Sequence, residues 1–155
     1  MELFTVGHSN HPINTFIDLL RSAEIKLIMD VRSHPISRHP QFGNPALPHY
    51  LREAGIDYRY MGRILGGLTT MPTTHINFVD KMDQVIRLGY GAKAALMCSE
   101  GKPCDCHRAG KLTAWIHRQR PEVTCTHVMP DGSRVNAKEY EPKVKNVVWC
   151  DELAR

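Results

Sequence analysis

Short apolar runs alternate with stretches of helical periodicity along this chain, and that alternation limits the fold more than any other feature. Leu3 to Val6 reads as a first strand, and Lys26 to Val31 as a second, buried one. Asp57 to Tyr60 and Ala94 to Cys98 follow as further strands. Between them, Ile13, Phe16, Ile17 and Leu20 fall on one helical face, with Pro12 suited to the first helical position. Pro45 to Ala54 predicts a helix, with Asn44 as its cap and Gly55 just past its end. Ile76 to Leu88 predicts another, with Phe78, Met82, Val85 and Ile86 facing inward. A helix from about Cys106 to Gln119 would bury Leu112, Trp115 and Ile116. Thr124 to Met129, the turn Pro130-Asp131-Gly132 and Arg134 to Ala137 read as a β-hairpin, and Asn146 to Trp149 as an edge strand. Strands alternating with helices predict an α/β fold: a mainly parallel sheet flanked by helices, with a C-terminal β-hairpin.

The 155 residues fit one domain, expected to span positions 1–155. A hydrophobic fraction of 42% and a charged fraction of 23% are those of a globular protein and exclude disorder. No apolar run approaches the roughly 18 residues of a spanning helix, so no membrane role is expected. The segment MELFTVGHSN carries no signal-peptide pattern. Five Cys, an odd number, therefore suggest a reducing, cytoplasmic setting with free thiols or metal ligands. Twenty Lys and Arg against 16 Asp and Glu leave a net charge of +4, which permits an anionic ligand without demanding one.

In doubly wound sheets, ligands bind beyond the carboxyl ends of the strands. Three loops leave that edge, starting at Gly7, Arg32 and Cys98. Gly7-His8-Ser9-Asn10 joins a strand to a helix, which suits either an anion site or a plain cap. Asp30-Val31-Arg32-Ser33 opens a long Pro-rich loop containing Arg38, Gln41 and Phe42. Arg32 and Arg38 could fork a phosphate or carboxylate, or one Arg could pair with Asp30 to hold the loop. Leu65-Gly66-Gly67-Leu68 suits close backbone approach or a turn.

The segment from Cys98 to Arg108 holds the densest chemistry. Cys98 could be a nucleophile, its thiolate favoured by Lys102, Arg108 and a helix N-terminus. Cys98, Cys104, Cys106 and His107 could bind zinc, although Cys-x-Cys-His is not a usual pattern. Alternatively the thiols pack, and only His107 and Arg108 meet a ligand. A cysteine-phosphatase loop carries Arg six residues after its Cys, and that position is Cys104 here.

The segments TVGHSN, DVRSHPISRHPQF and AGIDYRYMGRILGG, with a strand ending in Cys and a later CHR, resemble the bacterial and phage family catalogued as domain of unknown function 488. The likeness runs in order from Thr5 to about His127. It implies a compact α/β domain with its motif residues at one sheet edge, and no established reaction. The positions it points to are Gly7, His8, Ser9, Asn10, Asp30, Arg32, Ser33, Arg38, Phe42, Gly66, Gly67, Cys98, His107 and Arg108. A slighter likeness, an Asp-Val-Arg strand and a later strand ending in Cys, is to the rhodanese sulfurtransferases.

Together these point to an enzyme acting on a phosphorylated small molecule, a nucleotide or a nucleic-acid end. Arg32, Arg38 and Arg108 would clamp its oxygens, helped by backbone N–H groups after Gly7. His8 or His107 would serve as general acid or base and Cys98 as nucleophile. A non-catalytic nucleotide or nucleic-acid binding module, a zinc domain and a rhodanese-like sulfurtransferase are the alternatives.

Overall fold

Period-two alternation sorts the sheet residues to two faces, and both faces carry a core. The structure, a computed structural model, describes residues 1–144. Strands β1 (Glu2–Gly7), β2 (Leu27–Asp30), β3 (Asp57–Tyr60), β4 (Ala94–Cys98), β5 (Thr124–Val128) and β6 (Arg134–Asn136) form one sheet. Their order is β3-β2-β4-β1-β5-β6. Every pairing is parallel except the antiparallel β5–β6 hairpin.

Helices α1 (Ile13–Ser22) and α2 (Ala46–Glu53) cover one face, where Phe16, Leu20, Leu47 and Leu51 pack on Phe4, Val6, Ile28 and Met97. A short α3 (Gly62–Leu65) precedes α4 (Ile76–Gly91). Helix α4 covers the other face together with α5 (Ala114–Gln119). There Phe78, Met82, Val85, Leu112 and Trp115 pack on Leu3, Met29, Leu96 and Cys125. A last short helix, α6 (Ala137–Tyr140), follows β6. Right-handed crossovers explain the layering, because chain progress reverses direction across the sheet after β3.

Several local expectations shift. Pro12 flanks α1 rather than opening it, and its carbonyl accepts from Phe16 N–H. Asn44 does not cap α2: Pro45 sits at the cap position without a side-chain bond, and Asn44 N–H donates to Pro35 instead. Gly55 follows the helix at φ +75°, as a left-handed terminator should. Residues 62–65, between the expected strand and helix, form α3. The helix expected from Cys106 begins at Arg108 and winds as a π-helix through Thr113 before becoming α5. The Asn146–Trp149 strand lies outside the described residues. No helix among the described residues is long and apolar enough to cross a membrane.

Candidate functional site

Strand order places the site. The connection leaving β1 runs toward β2, whereas the one leaving β4 runs toward β5 on the opposite side. β1 and β4 are neighbours, so a crevice opens between their carboxyl ends. The two chains stay joined past the sheet: His8 N–H donates to Cys98 C=O and Ser9 N–H to Ser99 C=O, both at 2.9 Å. These amides, expected to serve an anion, instead zip the two loops together. Gly7 permits this, because a Cβ there would meet the Glu100 carbonyl oxygen at 1.7 Å.

Strand parity divides the chemistry into two clusters on opposite faces. On the α1/α2 face, Asp30 is fully buried and paired with Arg32. Arg32 Nε and Nη2 donate to the two carboxylate oxygens at 2.9 and 2.7 Å, and Nη1 donates to Phe42 C=O at 2.6 Å. Tyr58 OH donates to Asp30 Oδ2 at 2.5 Å. The Arg32 fork is thus spent internally, and it ties the Pro-rich loop to β2. His8 stacks on Phe42, with ring centroids 4.3 Å apart. Its Nδ1 lies 2.8 Å from Ser9 C=O and so carries the proton, leaving Nε2 as acceptor 3.4 Å from Arg32 Nη1. Burial lowers the His8 pKa to about 4, against the opposing Ser9 hydrogen bond.

On the α4/α5 face, Cys98, Cys106, His107, Arg108 and Thr5 meet. Arg108 is 0% exposed. Its Nε donates to Thr5 Oγ1 at 3.1 Å, and Nη2 to Gly101 C=O at 3.2 Å. Its Nη1 donates to Glu100 C=O and, at 2.8 Å, to Cys98 Sγ. Among the described residues no carboxylate forms an ion pair with it. A buried guanidinium needs a counter-charge, and Cys98 is the one in contact. Burial opposes ionisation of Cys98, yet the Cys106 hydrogen bond and Arg108 outweigh it and draw the thiol down to about 6. Cys106 Sγ stands 2.7 Å from Cys98 Sγ. Its own ionisation is pushed up by that hydrogen bond and by burial, so it keeps its proton and donates to the Cys98 thiolate.

His107 Nε2 donates to Val31 C=O at 3.1 Å, so Nδ1 holds the lone pair and faces Cys106 Sγ at 3.7 Å. Burial lowers its pKa to about 4, with the Val31 bond opposing. Both imidazoles are therefore neutral at pH 7 and can take a proton but not give one.

Three adjoining clefts line this edge. One of about 450 Å³ holds Arg32, Ser33, Gly67, Cys98, Cys106 and His107. A second, about 520 Å³, holds His8, Ser9, Asn10 and the exposed Arg38. A third, about 350 Å³, holds Met71, Cys104, Lys111, Cys106 and His107. Asp30, Phe42 and Arg108 stand behind these walls, fully buried. Gly66 packs on Ser33, whose hydroxyl accepts from Leu68 N–H at 2.9 Å. Sequence reasoning missed Thr5, which presents only a hydroxyl in an apolar strand, and Tyr58, whose hydroxyl completes the Asp30 cluster.

The zinc arrangement does not fit these residues. Two thiolates on one tetrahedral zinc, each at about 2.3 Å from the metal, would stand well over 3 Å apart. Cys98 and Cys106 are closer than that, and Cys98 faces a guanidinium. Cys104 Sγ contacts Asp105 and Tyr140 instead. Among the described residues no group of three or more His, Cys, Asp or Glu side chains is disposed to hold a metal.

Residues 12–75 match the family described as Domain of unknown function DUF488. The chain resembles that family. The DUF488 match is shorter than the stretch from Thr5 to His127 suggested by the motifs. It takes in the Asp30–Arg32 cluster, Arg38, Gly66 and Gly67, and ends before the Cys98 loop. No curated protein and no solved structure matches the chain.

Proposed function

We propose that the protein is a cysteine-dependent enzyme that transfers or hydrolyses a group on a small anionic molecule, with a phosphorylated metabolite or nucleotide as the substrate class. One observation carries this reading: a fully buried guanidinium whose charge is met by a cysteine sulfur at the switch-point crevice. That arrangement costs stability, since an apolar pair of similar volume would pack there without desolvating a charge, and a reactive thiolate is what the cost supports.

Cys98 sulfur forms the bond to the electrophilic centre, and the leaving group departs with the bonding pair. Water then releases the group, giving up its proton to an imidazole. His107 is on the same face as Cys98 and takes this role, while His8 on the opposite face supports Arg32. Arg108 acts through Cys98 and is a positioning residue, its donors being consumed by protein oxygens and sulfur. The anionic end of the substrate lies in the neighbouring cleft beside Arg38.

Two measurements test this. Iodoacetamide should alkylate Cys98 well below the ordinary thiol pH range, with the product located by peptide mapping. A panel of nucleotides and sugar phosphates should raise the melting temperature, and Arg38→Ala should remove the rise. Alkylation of Cys98 only near the free-thiol pKa would overturn the nucleophile. Stabilisation untouched by Arg38→Ala would overturn the anion placement.

A further inference from the structure

The Cys98 cluster holds one feature with a use beyond stabilising the Cys98 thiolate. Cys106 places a second thiol 2.7 Å from the first, and both line the same cleft of about 450 Å³. That separation is shorter than van der Waals contact between two sulfur atoms and longer than the roughly 2.05 Å of a disulfide. The chain between them is short, since the cysteines are eight positions apart. The remaining described thiols are placed differently. Cys104 turns toward Asp105 and Tyr140 and opens onto the third cleft. Cys125, on β5, is buried in the core on the α4/α5 face, where burial pushes its thiol up to about 12.

We propose that Cys98 and Cys106 form a dithiol couple that reduces hydroperoxides, Cys98 taking the oxygen and Cys106 resolving the product. The inference rests on Cys98 being the thiolate assigned above. Cys98 is only 2% exposed, but it and Cys106 line the same cleft, which gives a small oxidant a route to the sulfur.

In the first step Cys98 sulfur attacks the terminal oxygen of R–O–OH. The S–O bond forms, the O–O bond breaks, and RO⁻ leaves to be protonated by water. Cys98 becomes a sulfenic acid, oxidised by two electrons as the peroxide is reduced by two. In the second step Cys106 sulfur attacks Cys98 sulfur. His107 Nδ1, 3.7 Å away, takes the Cys106 proton. The S–O bond breaks and the departing hydroxide collects that proton as water, leaving a Cys98–Cys106 disulfide. A small dithiol returns both residues to their starting state by exchange.

The test treats the full chain with equimolar hydrogen peroxide and maps the product by non-reducing peptide mass spectrometry. The expected product is a Cys98–Cys106 cross-link, lighter by two hydrogens, with no lasting dimedone adduct. Cys104→Ser should give the same cross-link. Cys106→Ser should stop at a Cys98 sulfenic acid that dimedone traps. A wild-type protein that accumulates dimedone-labelled Cys98, or whose cross-link maps to Cys104, would overturn the inference. Iodoacetamide labelling at pH 6 of an untreated portion of the same preparation separates the two proposals. Cys98 labelled there, with no cross-link after peroxide, defeats the couple alone; Cys98 unlabelled there defeats the nucleophile as well.

Discussion

Arg108→Met removes the counter-charge of Cys98 and leaves a side chain that still fills the buried stem. At 2.8 Å and an effective dielectric constant near 20, a unit charge pair is worth about 6 kcal/mol, equivalent to about four pH units of thiol midpoint. Cys106 remains as a hydrogen-bond donor and burial remains as a penalty, so the midpoint should climb from about 6 to at least the ordinary 9.0. The choice of assay follows from the arithmetic. At pH 7 the thiolate fraction would fall to about one part in a hundred. With a Brønsted coefficient of 0.4–0.5, the remaining thiolate gains about 20-fold in intrinsic reactivity. The net rate at pH 7 therefore drops only about five-fold, which a modest change in access could mimic. The decisive readout is the midpoint of alkylation rate against pH for Cys98, with melting temperature and circular dichroism confirming the fold. Arg108→Lys keeps the charge and should hold the midpoint below 9.0. A midpoint unchanged in Arg108→Met would refute the claim that the guanidinium stabilises the thiolate.

Other outcomes follow from the same geometry. Asp30→Asn breaks the buried pair with Arg32 and should cost about 3–5 kcal/mol in urea denaturation, while the Cys98 alkylation midpoint stays put because the two clusters lie on opposite faces. A large midpoint change would show that they are coupled. Gly7→Ala drives a methyl into the Glu100 carbonyl, so both stability and the low Cys98 midpoint should be lost together; a variant that keeps both would show the loop free to move. Burial depresses His8, His107 and His127 to about 4, 4 and 3. The unfolded chain takes up these protons near 6.5, so the native state holds its full stability above that pH and loses it as pH falls toward 4. Linkage puts the loss at about 2 kcal/mol per histidine at pH 5, to be read as a falling urea midpoint between pH 7.5 and 5. A flat midpoint would mean the imidazoles charge in place.

The strands and core helices could be read from the chain because period and burial agree in them. Phe78, Met82 and Val85 recur at helical spacing, and all three are buried. Gly55 and the Pro130-Asp131-Gly132 turn carry their own backbone chemistry. The Cys98–Arg108 segment could be flagged from residue types alone. What each arginine does could not. A guanidinium aimed at a ligand and one consumed by carbonyls have the same sequence signature. Whether Arg108 reaches Glu100 and Gly101 depends on how far the chain after β4 folds back, and on the wide π-helical winding from Arg108 to Thr113, which no spacing rule anticipates. Asp30 and Arg32, two residues apart at a strand end, were equally compatible with a loop tie and an anion fork. Only the position of the Phe42 carbonyl decides for the tie. Thr5 looks like an ordinary strand residue until Arg108 is found bonded to it.

His107 and Cys106, together with Gly67 and Asp105, belong to two clefts at once, forming the wall between the 450 Å³ and 350 Å³ spaces. A shared wall links the two spaces thermodynamically wherever a molecule on one side displaces it. A molecule that settles beside Lys111 and displaces the His107 ring changes the affinity of the Cys98 side by some factor. A molecule on the Cys98 side must change the affinity beside Lys111 by that same factor. Any coupling between the two clefts would thus pass through this partition, with no movement of the sheet required.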